Sequence, residues 1–442
     1  MAEFFFPTRS AIASAQIRQL RELLAQVLGS NRFYQKKFAA AGVTSEVTSL
    51  EEFSRRVPFT TKQEIVADQK TAPPYGTNLT FPLVSYTRCH QTSGTSSTPL
   101  RWLDTPENWR WMLQNWKEVY RAAGVTRADR ILFAFSFGPF IGFWLAFESA
   151  AELGCLCLPG GGLSSGARLR LILDQGVTVV CCTPTYAIHL AEVAAEEKIE
   201  LDKSELRMLI VAGEPGGSIP ATRSRIEQLW GGARVFDHHG MTEVGPVTYE
   251  CPSRPGVLHV MECAYFAEII DPATGTAAPP GAQGELVLTT LGRIGSPLVR
   301  YRTGDLVKPG GVRITDYALR LTPPESPCPC GRSELALEGG ILGRTDDMVT
   351  VRGVNVFPGA VEEIIRGFRE VAEYQVEISD RRALAELRVR VEPVAEASAA
   401  TDLTARVERA LLNALALRVP VTLVQPGTLP RYELKAKRWL KK

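Results

Sequence analysis

Near its N-terminus, hydrophobic positions recur along the chain with a helical period. Ile17, Leu20, Leu23, Leu24 and Val27 fall on one face of a helix with about 3.6 residues per turn. Residues from about 10 to 60 are therefore predicted to be mostly helical, with one face packed against the rest of the protein.

Short apolar runs alternate with helical patterns from about residue 80 to 240. Three of them, RILFAF, VTVVCCTPT and RMLIVAGEP, each precede a turn and a helical segment. This alternation predicts an α/β region with a parallel or mixed sheet. The most apolar run, residues 131–147, is broken by Gly138 and Pro139, so it predicts a buried strand, turn and helix rather than a membrane helix.

The pattern of hydrophobic and polar residues changes after residue 245. Segments such as YFAEIIDPATG, GELVLTTL and PLVRYRTGDL predict short strands joined by turns. From residue 343 the order predicted is strand, helix, strand, strand, helix, strand. The chain is thus expected to be an α/β protein with a large multi-sheet N-terminal domain, 1–342, and a small α+β C-terminal domain, 343–442.

Composition narrows the functional classes. The chain has 442 residues, 45% of them hydrophobic and 22% charged, as in globular proteins with a large core. A net charge of +2 gives no reason to expect nucleic acid or a membrane surface as a partner. The odd number of cysteines, nine, and the absence of a signal-peptide pattern predict a reduced, cytoplasmic protein.

Several polar segments have the residue types that bind a nucleotide. A hydroxyl-rich loop around one glycine can hold phosphates. A Gly-x-Thr-Glu turn can offer a hydroxyl to a phosphate and a carboxylate to Mg²⁺, and an aspartate beside a glycine turn can accept both ribose hydroxyls. Each of these segments is also common as an ordinary loop. The candidate ATP-binding residues are Thr92, Ser93, Gly94, Thr95, Ser96, His238, His239, Gly240, Met241, Thr242, Glu243, Asp305 and, at a strand end, Gly213, Glu214 and Pro215.

Three thiols and one imidazole form a candidate metal site. Cys251, His259, Cys328 and Cys330 match the ligand set of a closed tetrahedral zinc site. The seven residues between Cys251 and His259 are not a standard spacing, so chance clustering is the alternative.

An aromatic segment follows the strand at 130–135. Phe135, Phe137, Phe140, Ile141 and Trp144 can enclose a planar ring, and core packing is an equal alternative for each of them. The segment contains no cationic residue, which argues against a dicarboxylate as ligand.

The segment GRTDDMVTVRGVNVFPGAVEEII, residues 343–365, follows YRTGDL and precedes LPRYELKAKRW. It resembles the hinge of AMP-forming acid ligases, and VRGVNVFP resembles the phenylacetate–CoA ligase family. The resemblance runs from Thr92 to Lys435. It implies ATP-dependent activation of an aromatic carboxylic acid (benzoate, phenylacetate or anthranilate class) to acyl-AMP, followed by transfer to coenzyme A, with Mg²⁺ bound by Glu243.

The same resemblance implies further roles. Lys435 would bridge the carboxylate and phosphate oxygens during adenylation, and His239 would stack on adenine. Arg344 would join Asp305 at the ribose. Asp346 would be the hinge, for which a helix cap or surface ion pair is the alternative. The coenzyme A tunnel would be flanked by Arg352 and Gly353, and some members of the family carry the cysteine–histidine set as structural zinc.

The sequence departs from the family pattern at two places. Ser97 and Thr98 stand where relatives have glycine and lysine, and Leu434 stands where relatives often have glycine. These departures keep one alternative open, which is acyl transfer to a carrier-protein thiol, with or without ATP. A more distant alternative is a non-catalytic ligand-binding descendant of a ligase, and the intact Thr242, Glu243, Asp305 and Lys435 argue against it. Lys437 and Arg438 are alternative cations to Lys435. The sequence does not decide whether the protein forms a homodimer.

Overall fold

A computed structural model describes residues 8–92, 99–310, 328–351, 354–381, 384–394, 402–432 and 436–441. The chain folds into two compact units, Met1–Gly161 with Asp237–Gly340, and Gly162–Phe236 with Ile341–Lys442. This grouping differs from the predicted domain boundary, because residues 162–236 associate with the C-terminal segment. A separate 343–442 body that turns on a hinge stays a prediction.

The secondary structure alternates between helices and short strands. Two short 3₁₀ turns occur at Leu83–Ser85 and Leu201–Lys203. The helices are α1 (Arg9–Ser30), α2 (Arg32–Ala41), α3 (Leu50–Arg56), α4 (Lys62–Thr71), α5 (Pro106–Ala122), α6 (Ile141–Leu153), α7 (Ser165–Asp174), α8 (Pro184–Glu196), α9 (Pro220–Leu229), α10 (Pro358–Arg366) and α11 (Leu403–Leu415). The strands are β1 (Arg88–Gln91), β2 (Arg101–Asp104), β3 (Arg130–Phe133), β4 (Leu156–Pro159), β5 (Val179–Cys182), β6 (Met208–Val211), β7 (Arg234–Asp237), β8 (Gly240–Met241), β9 (Gly245–Pro246), β10 (Thr248–Glu250), β11 (Val257–Val260), β12 (Tyr265–Ile270), β13 (Gly284–Thr290), β14 (Tyr301–Val307), β15 (Pro309–Gly310), β16 (Ala336–Glu338), β17 (Gly343–Arg344), β18 (Val349–Val351), β19 (Val354–Val356), β20 (Val371–Arg381), β21 (Leu384–Pro393), β22 (Val421–Leu423) and β23 (Trp439–Lys441).

The predicted N-terminal helices are confirmed. The apolar face of α1 is buried, and Leu20 and Val27 join a core cluster that also contains Phe266 of β12. Helix α4 begins with a capping box, in which the Thr61 side chain and Glu64 each bond the other residue's backbone N–H. Such caps satisfy N–H groups that the helix itself leaves without acceptors.

The strand predictions in the α/β region are also confirmed. Strands β3 and β4 pair in parallel in the first unit, and β5 and β6 pair in parallel in the second, with β7 next to β6. Residues 131–147 form the end of β3, a turn and helix α6, as their pattern predicted. Among the described residues, no helix has both the length and the apolar character needed to cross a bilayer.

The described part of the first unit contains two larger antiparallel sheets besides the β1–β2 and β8–β9 pairs. Strands β12, β13 and β14 form consecutive antiparallel pairs, and the turn between β12 and β13 contains Asp271, as predicted. Strands β10, β11, β16 and β15 form the second sheet.

The C-terminal segment is built on the long antiparallel pair β20–β21. Strand β22 runs parallel to β21, and β23 runs parallel to β20. Two short strands that pair with each other, β18 and β19, precede helix α10, where the sequence predicted one strand. Three-residue strands are too short to show an alternating pattern of polar and apolar residues.

Candidate active site and cysteine–histidine cluster

The predicted Gly-Met-Thr-Glu turn is held tightly by its own backbone. Strand β8 pairs with β9, and a Cβ atom on Gly240 would lie 2.8 Å from the Gly245 carbonyl oxygen, so glycine is required there. The His239 N–H donates to Thr248 Oγ1 at 2.8 Å, and the His239 carbonyl accepts from the Val247 N–H at 2.9 Å. These contacts fix the direction in which the turn presents its side chains.

The structure brings together two of the predicted nucleotide motifs. His239 Nε2 lies 3.1 Å from Asp305 Oδ2, and the Asp305 side chain is only 4% exposed. The Asp305 N–H donates to Thr303 Oγ1 at 3.0 Å, and the Thr303 hydroxyl donates to the Leu286 carbonyl at 2.7 Å. Asp305 is therefore anchored on β14 beside the ring predicted to stack on adenine.

Glu243 is a buried carboxylate that lies near one lysine side chain. It is 6% exposed, and its Oε1 lies 3.9 Å from the Lys62 ammonium at the start of α4. A buried carboxylate is unfavourable unless a cation or hydrogen bonds compensate its charge. The site therefore fits a divalent cation, and Lys62 is a nearby positive group that no sequence motif indicates.

A fully buried ion pair supports the turn from behind. Arg293 Nε and Nη2 donate to the two Asp104 oxygens at 2.7 and 2.6 Å, and both side chains are 0% exposed. Arg293 Nη1 also donates to the Thr242 carbonyl at 2.7 Å. Neither residue was singled out from the sequence, because an isolated arginine and aspartate far apart in the chain carry no local signal of pairing.

Helix α5 packs two tryptophans against two buried histidines. The Trp109 and His90 rings are stacked 5.2 Å apart, and Trp116 meets His238 edge to face at 4.3 Å. Burial lowers the pKa of His90 to about 4 and that of His238 to about 3, so both are neutral at pH 7. His238 was predicted to be at the nucleotide site, and its ring packs in the interior beneath the turn. His238 is buried and His239 is half-buried, so neither is a fully exposed loop residue.

The second unit holds further described candidates. Gly213 has a φ of 95°, and Glu214 accepts from the Thr185 N–H and the Ala436 N–H, both at 2.8 Å. Arg344, predicted at the ribose, pairs with Asp346, predicted as the hinge, through Nε–Oδ1 at 2.8 Å.

Other predicted residues lie outside the described residues. They are Ser93, Gly94, Thr95, Ser96, Arg352, Gly353 and Lys435. Thr92, at the edge of the phosphate loop, is described: its hydroxyl accepts from the Leu100 N–H at 3.0 Å.

The aromatic segment forms a cluster of rings. Phe135 stacks on Phe143 with centroids 4.1 Å apart, and Phe137 meets Trp144 edge to face at 5.0 Å. Phe135 and Ile141 are buried, whereas Phe137 and Phe140 are half-buried. Core packing thus accounts for the first two, and the second two retain surface for a ligand.

The four predicted metal ligands converge in the first unit. Sγ of Cys251, Cys328 and Cys330 and a ring nitrogen of His259 all lie within 4.8 Å of one another. Cys251 Sγ is 3.6 Å from Cys328 Sγ, and Cys330 Sγ is 3.4 Å from His259 Nε2. A tetrahedron with metal–sulfur bonds of about 2.3 Å has edges of about 3.8 Å, so the cluster has the dimensions of a zinc site.

The surroundings of this cluster orient its imidazole. His259 Nδ1 lies 3.4 Å from the Glu334 carbonyl oxygen, which leaves Nε2 directed at the thiols. A backbone carbonyl on the far nitrogen is a usual partner of a metal-binding histidine. The Glu334 carboxylate accepts from the Tyr249 hydroxyl, and Arg332 lies over the Tyr249 ring at 4.3 Å.

Comparison with known proteins shows to which class of enzyme the protein belongs. The family model described as "AMP-binding enzyme" matches residues 90–292, and the one described as "AMP-binding enzyme C-terminal domain" matches residues 353–442. The two segments contain the turn at Gly240 and the tail that ends the chain. The protein is therefore an adenylate-forming enzyme.

The curated relatives narrow this class to one family. The chain is 31% identical to phenylacetate-coenzyme A ligase of Thermus thermophilus, over 96% of this chain and 95% of the relative. It is 30% identical to the Pseudomonas putida phenylacetate-coenzyme A ligase, over 96% and 93% of the two chains. A crystal structure of 2-hydroxyisobutyryl-CoA ligase in the postadenylation state superposes with a TM-score of 0.89 at 28% identity, covering 97% of this chain and 89% of that one.

The protein belongs to the phenylacetate–CoA ligase family. It is an acid–thiol ligase that forms an acyl adenylate from a carboxylic acid and ATP and then an acyl-CoA thioester. The non-catalytic alternative is thereby set aside.

Proposed function

We propose that the acid is aromatic, of the benzoate, phenylacetate or anthranilate class. The observation that carries this proposal is the ring cluster around Phe137 and Phe140, which is half-buried at its edge and next to β3. Aromatic side chains stack favourably on a planar ring, and the segment offers no cation to a second carboxylate. The curated phenylacetate ligases among the relatives support the same class.

The nucleotide would be bound along the turn that follows β7. Thr242 and the loop containing Thr92, Ser93, Gly94, Thr95 and Ser96 would hold the phosphates. His239 would stack on adenine and Asp305 would accept the ribose hydroxyls, with Arg344 as a second ribose contact. The 3.1 Å approach of His239 to Asp305 supports a shared role for these two residues. Gly213, Glu214 and Pro215, which follow β6, stay predicted nucleotide-binding residues.

Charge on the reacting phosphate would be compensated by two groups. Glu243 would hold Mg²⁺, which supplies positive charge to the phosphate oxygens when bound. Lys435 would bridge the acid and the α-phosphate during in-line attack, where negative charge builds on both oxygens. Coenzyme A would then enter beside Arg352 and Gly353 after rotation about Asp346, and its thiol would displace AMP.

The test is acid-dependent ATP–pyrophosphate exchange in the absence of a thiol. We expect exchange with one or more aryl acids from a panel of benzoates, phenylacetates and anthranilate. The panel includes 2-hydroxyisobutyrate, because the 2-hydroxyisobutyryl-CoA ligase structure favours a small hydroxy acid as the second candidate. Exchange with that acid alone would reject the aromatic proposal and leave the ligase assignment intact.

The acceptor is tested separately. With the acid identified, thioester formation is measured with coenzyme A and with a phosphopantetheinylated carrier protein. Coenzyme A is expected to be the better acceptor. Preference for the carrier protein by kcat/KM would favour the alternative suggested by Ser97, Thr98 and Leu434.

The cysteine–histidine cluster is proposed to hold structural zinc. We expect about one zinc per chain by metal analysis, and Cys330→Ser is expected to lower both zinc content and the melting temperature. Cys89→Ser, at an exposed thiol outside the cluster, is the matched control and should change neither. A full-length protein that folds normally without bound metal would overturn this assignment.

A further inference from the structure

The C-terminal tail is anchored on both sides of residues 433–435. Before them, Arg431 Nε donates to Glu192 at 3.1 Å and its Nη2 donates to Glu392 at 2.6 Å. After them, the Ala436 N–H donates to Glu214 Oε2 at 2.8 Å. Arg438 adds a third anchor through two bonds to Glu373, at 2.7 and 3.0 Å.

Glu214 connects the tail to a helix terminus. One of its oxygens accepts from Ala436, and the other accepts from the Thr185 N–H in the first turn of α8. A carboxylate is favoured at a helix N-terminus because the exposed N–H groups carry partial positive charge. The same carboxylate therefore fixes the tail to α8 at the end of β6.

Arg438 is the most buried of these anchors. Its side chain is 9% exposed, and it lies among Glu362, Glu373 and Arg366, which are themselves buried. It also reaches out of the C-terminal segment, since both Nη atoms lie 3.3 Å from Thr185 Oγ1. Buried charged networks of this kind specify one geometry, because any other arrangement leaves a charge without a partner.

The anchors divide into two sets. Glu392 and Glu373 belong to the C-terminal segment, so their bonds to Arg431 and Arg438 hold the tail to its own segment. The partners in the other set, Glu192, Thr185 and Glu214, belong to residues 162–236 and hold the tail to α8 and β6. Only the second set would separate if residues 343–442 turned.

We propose that Glu192, Thr185 and Glu214, with Arg431 and Arg438, are positioning residues that hold the tail for the adenylation step. This inference rests on the proposed role of Lys435 in that step. A flexible lysine stabilises a transition state only when its backbone is fixed at the correct distance. The contacts that the tail itself makes with residues 162–236 are hydrogen bonds and a partly exposed ion pair, each of which changes an equilibrium constant by about tenfold or less. Together these contacts favour the position of the tail that serves adenylation. They are weak enough for the tail to leave that position for thioester formation.

The experiment uses the double variant Glu192→Gln/Thr185→Val. It removes cross-segment partners, retains the Thr185 N–H bond to Glu214, and leaves the bonds of Arg431 and Arg438 within the C-terminal segment intact. The pyrophosphate exchange rate is expected to fall about tenfold, while thioester formation from supplied acyl-AMP and coenzyme A stays unchanged or rises. Arg406→Gln is the control, since its ion pair with Glu370 involves the C-terminal segment alone. That variant should leave both rates within about twofold.

Other outcomes separate this inference from the proposed function. Equal losses in both half-reactions would indicate general structural damage and overturn the positioning role, and so would unchanged rates in both. If the wild-type protein shows no exchange with any acid while Arg406→Gln and wild type are both folded, the proposed function fails and this inference fails with it.

Discussion

The Gly-Met-Thr-Glu turn and the C-terminal tail are held in place by contacts that differ in their exposure to water. Behind the turn lie two neutral histidines packed on tryptophans and one ion pair, Arg293–Asp104, that water does not reach. The tail is held by carboxylates and arginines, and several of those contacts join separate segments. Water does not reach the Arg293–Asp104 pair behind the turn, whereas the Arg431–Glu192 pair of the tail is partly exposed and can exchange its partners for water. The turn is therefore suited to remain fixed, and the tail is suited to be released.

The largest expected effect comes from breaking the ion pair behind the turn. Arg293→Met leaves the Asp104 carboxylate buried without its partner and should destabilise the protein by about 3–5 kcal/mol. Urea denaturation measures the loss. The double variant Arg293→Met/Asp104→Leu should recover most of it, and Arg121→Met, at an exposed pair with Glu118, should change stability by less than about 0.5 kcal/mol. A double variant as unstable as the single one would contradict the charge argument.

Next in size is the loss of the proposed catalytic cation in the tail. Lys435→Ala should lower adenylation about 10²- to 10³-fold, as when one group that stabilises transition-state charge is removed. Thioester formation from supplied acyl-AMP should be spared. Lys437→Ala, two residues along the same tail, is the control and should retain adenylation. Equal effects on both half-reactions would reject the role of Lys435.

Lowering the pH should destabilise the region around the turn before it destabilises the tail. The folded-state pKa values of His90 and His238, about 4 and about 3, lie below the unfolded value of about 6.5. Their contribution to stability is complete above pH 6.5 and falls as the pH drops, by about 2 kcal/mol for each histidine at pH 5. Denaturation at pH 7 and pH 5 measures the change, and His90→Gln should reduce the slope by about one proton. An unchanged slope in His90→Gln would show that other groups cause it.

The tail network should respond at lower pH. Burial opposes ionisation of Glu373, but Arg366 and Arg438 lower its pKa to about 2, below the unfolded value of about 4.5. Its contribution is therefore retained above pH 4.5 and is lost as the pH falls towards 2. Hydrogen exchange at pH 5 should show weaker protection near β8 than near β23, relative to pH 7. Weaker protection near β23 than near β8 would contradict the predicted difference in pH dependence between the two regions.

The smallest stability effect is expected at Arg344. Its ion pair with Asp346 is partly exposed, so Arg344→Gln should change the free energy of unfolding by less than about 1 kcal/mol. If Arg344 contacts ribose, the KM for ATP in the exchange assay should rise about tenfold. Asp346→Asn breaks the same pair without removing that contact and should leave the KM for ATP near the wild-type value. An unchanged KM in Arg344→Gln would remove Arg344 from the nucleotide site.

Much of the fold was predictable because its signals are local. Helical periodicity marks α1, and apolar runs mark β3, β5 and β6, since burial of one face dictates the spacing of apolar residues. The family followed from consecutive motifs such as VRGVNVFP. The same logic failed at β18 and β19, where strands of three residues leave no measurable period. Nor did it indicate that His238 is buried, because the adjacent residues in the sequence are polar, whereas the ring packs against Trp116.

By itself, the sequence determined the order of elements, the ligase family and the identity of the cysteine–histidine set. Each of these is indicated by a local pattern of residues or by a family motif. Only the tertiary structure decided which distant residues meet. Asp104 forms an ion pair with Arg293. Glu214 accepts hydrogen bonds from the backbone N–H groups of Thr185 and Ala436. The His259 ring lies beside the Cys330 thiol. These pairings depend on how strands and helices pack across long stretches of chain. The residues next to a charged or polar side chain in the sequence do not indicate which distant residue will become its partner in the folded protein.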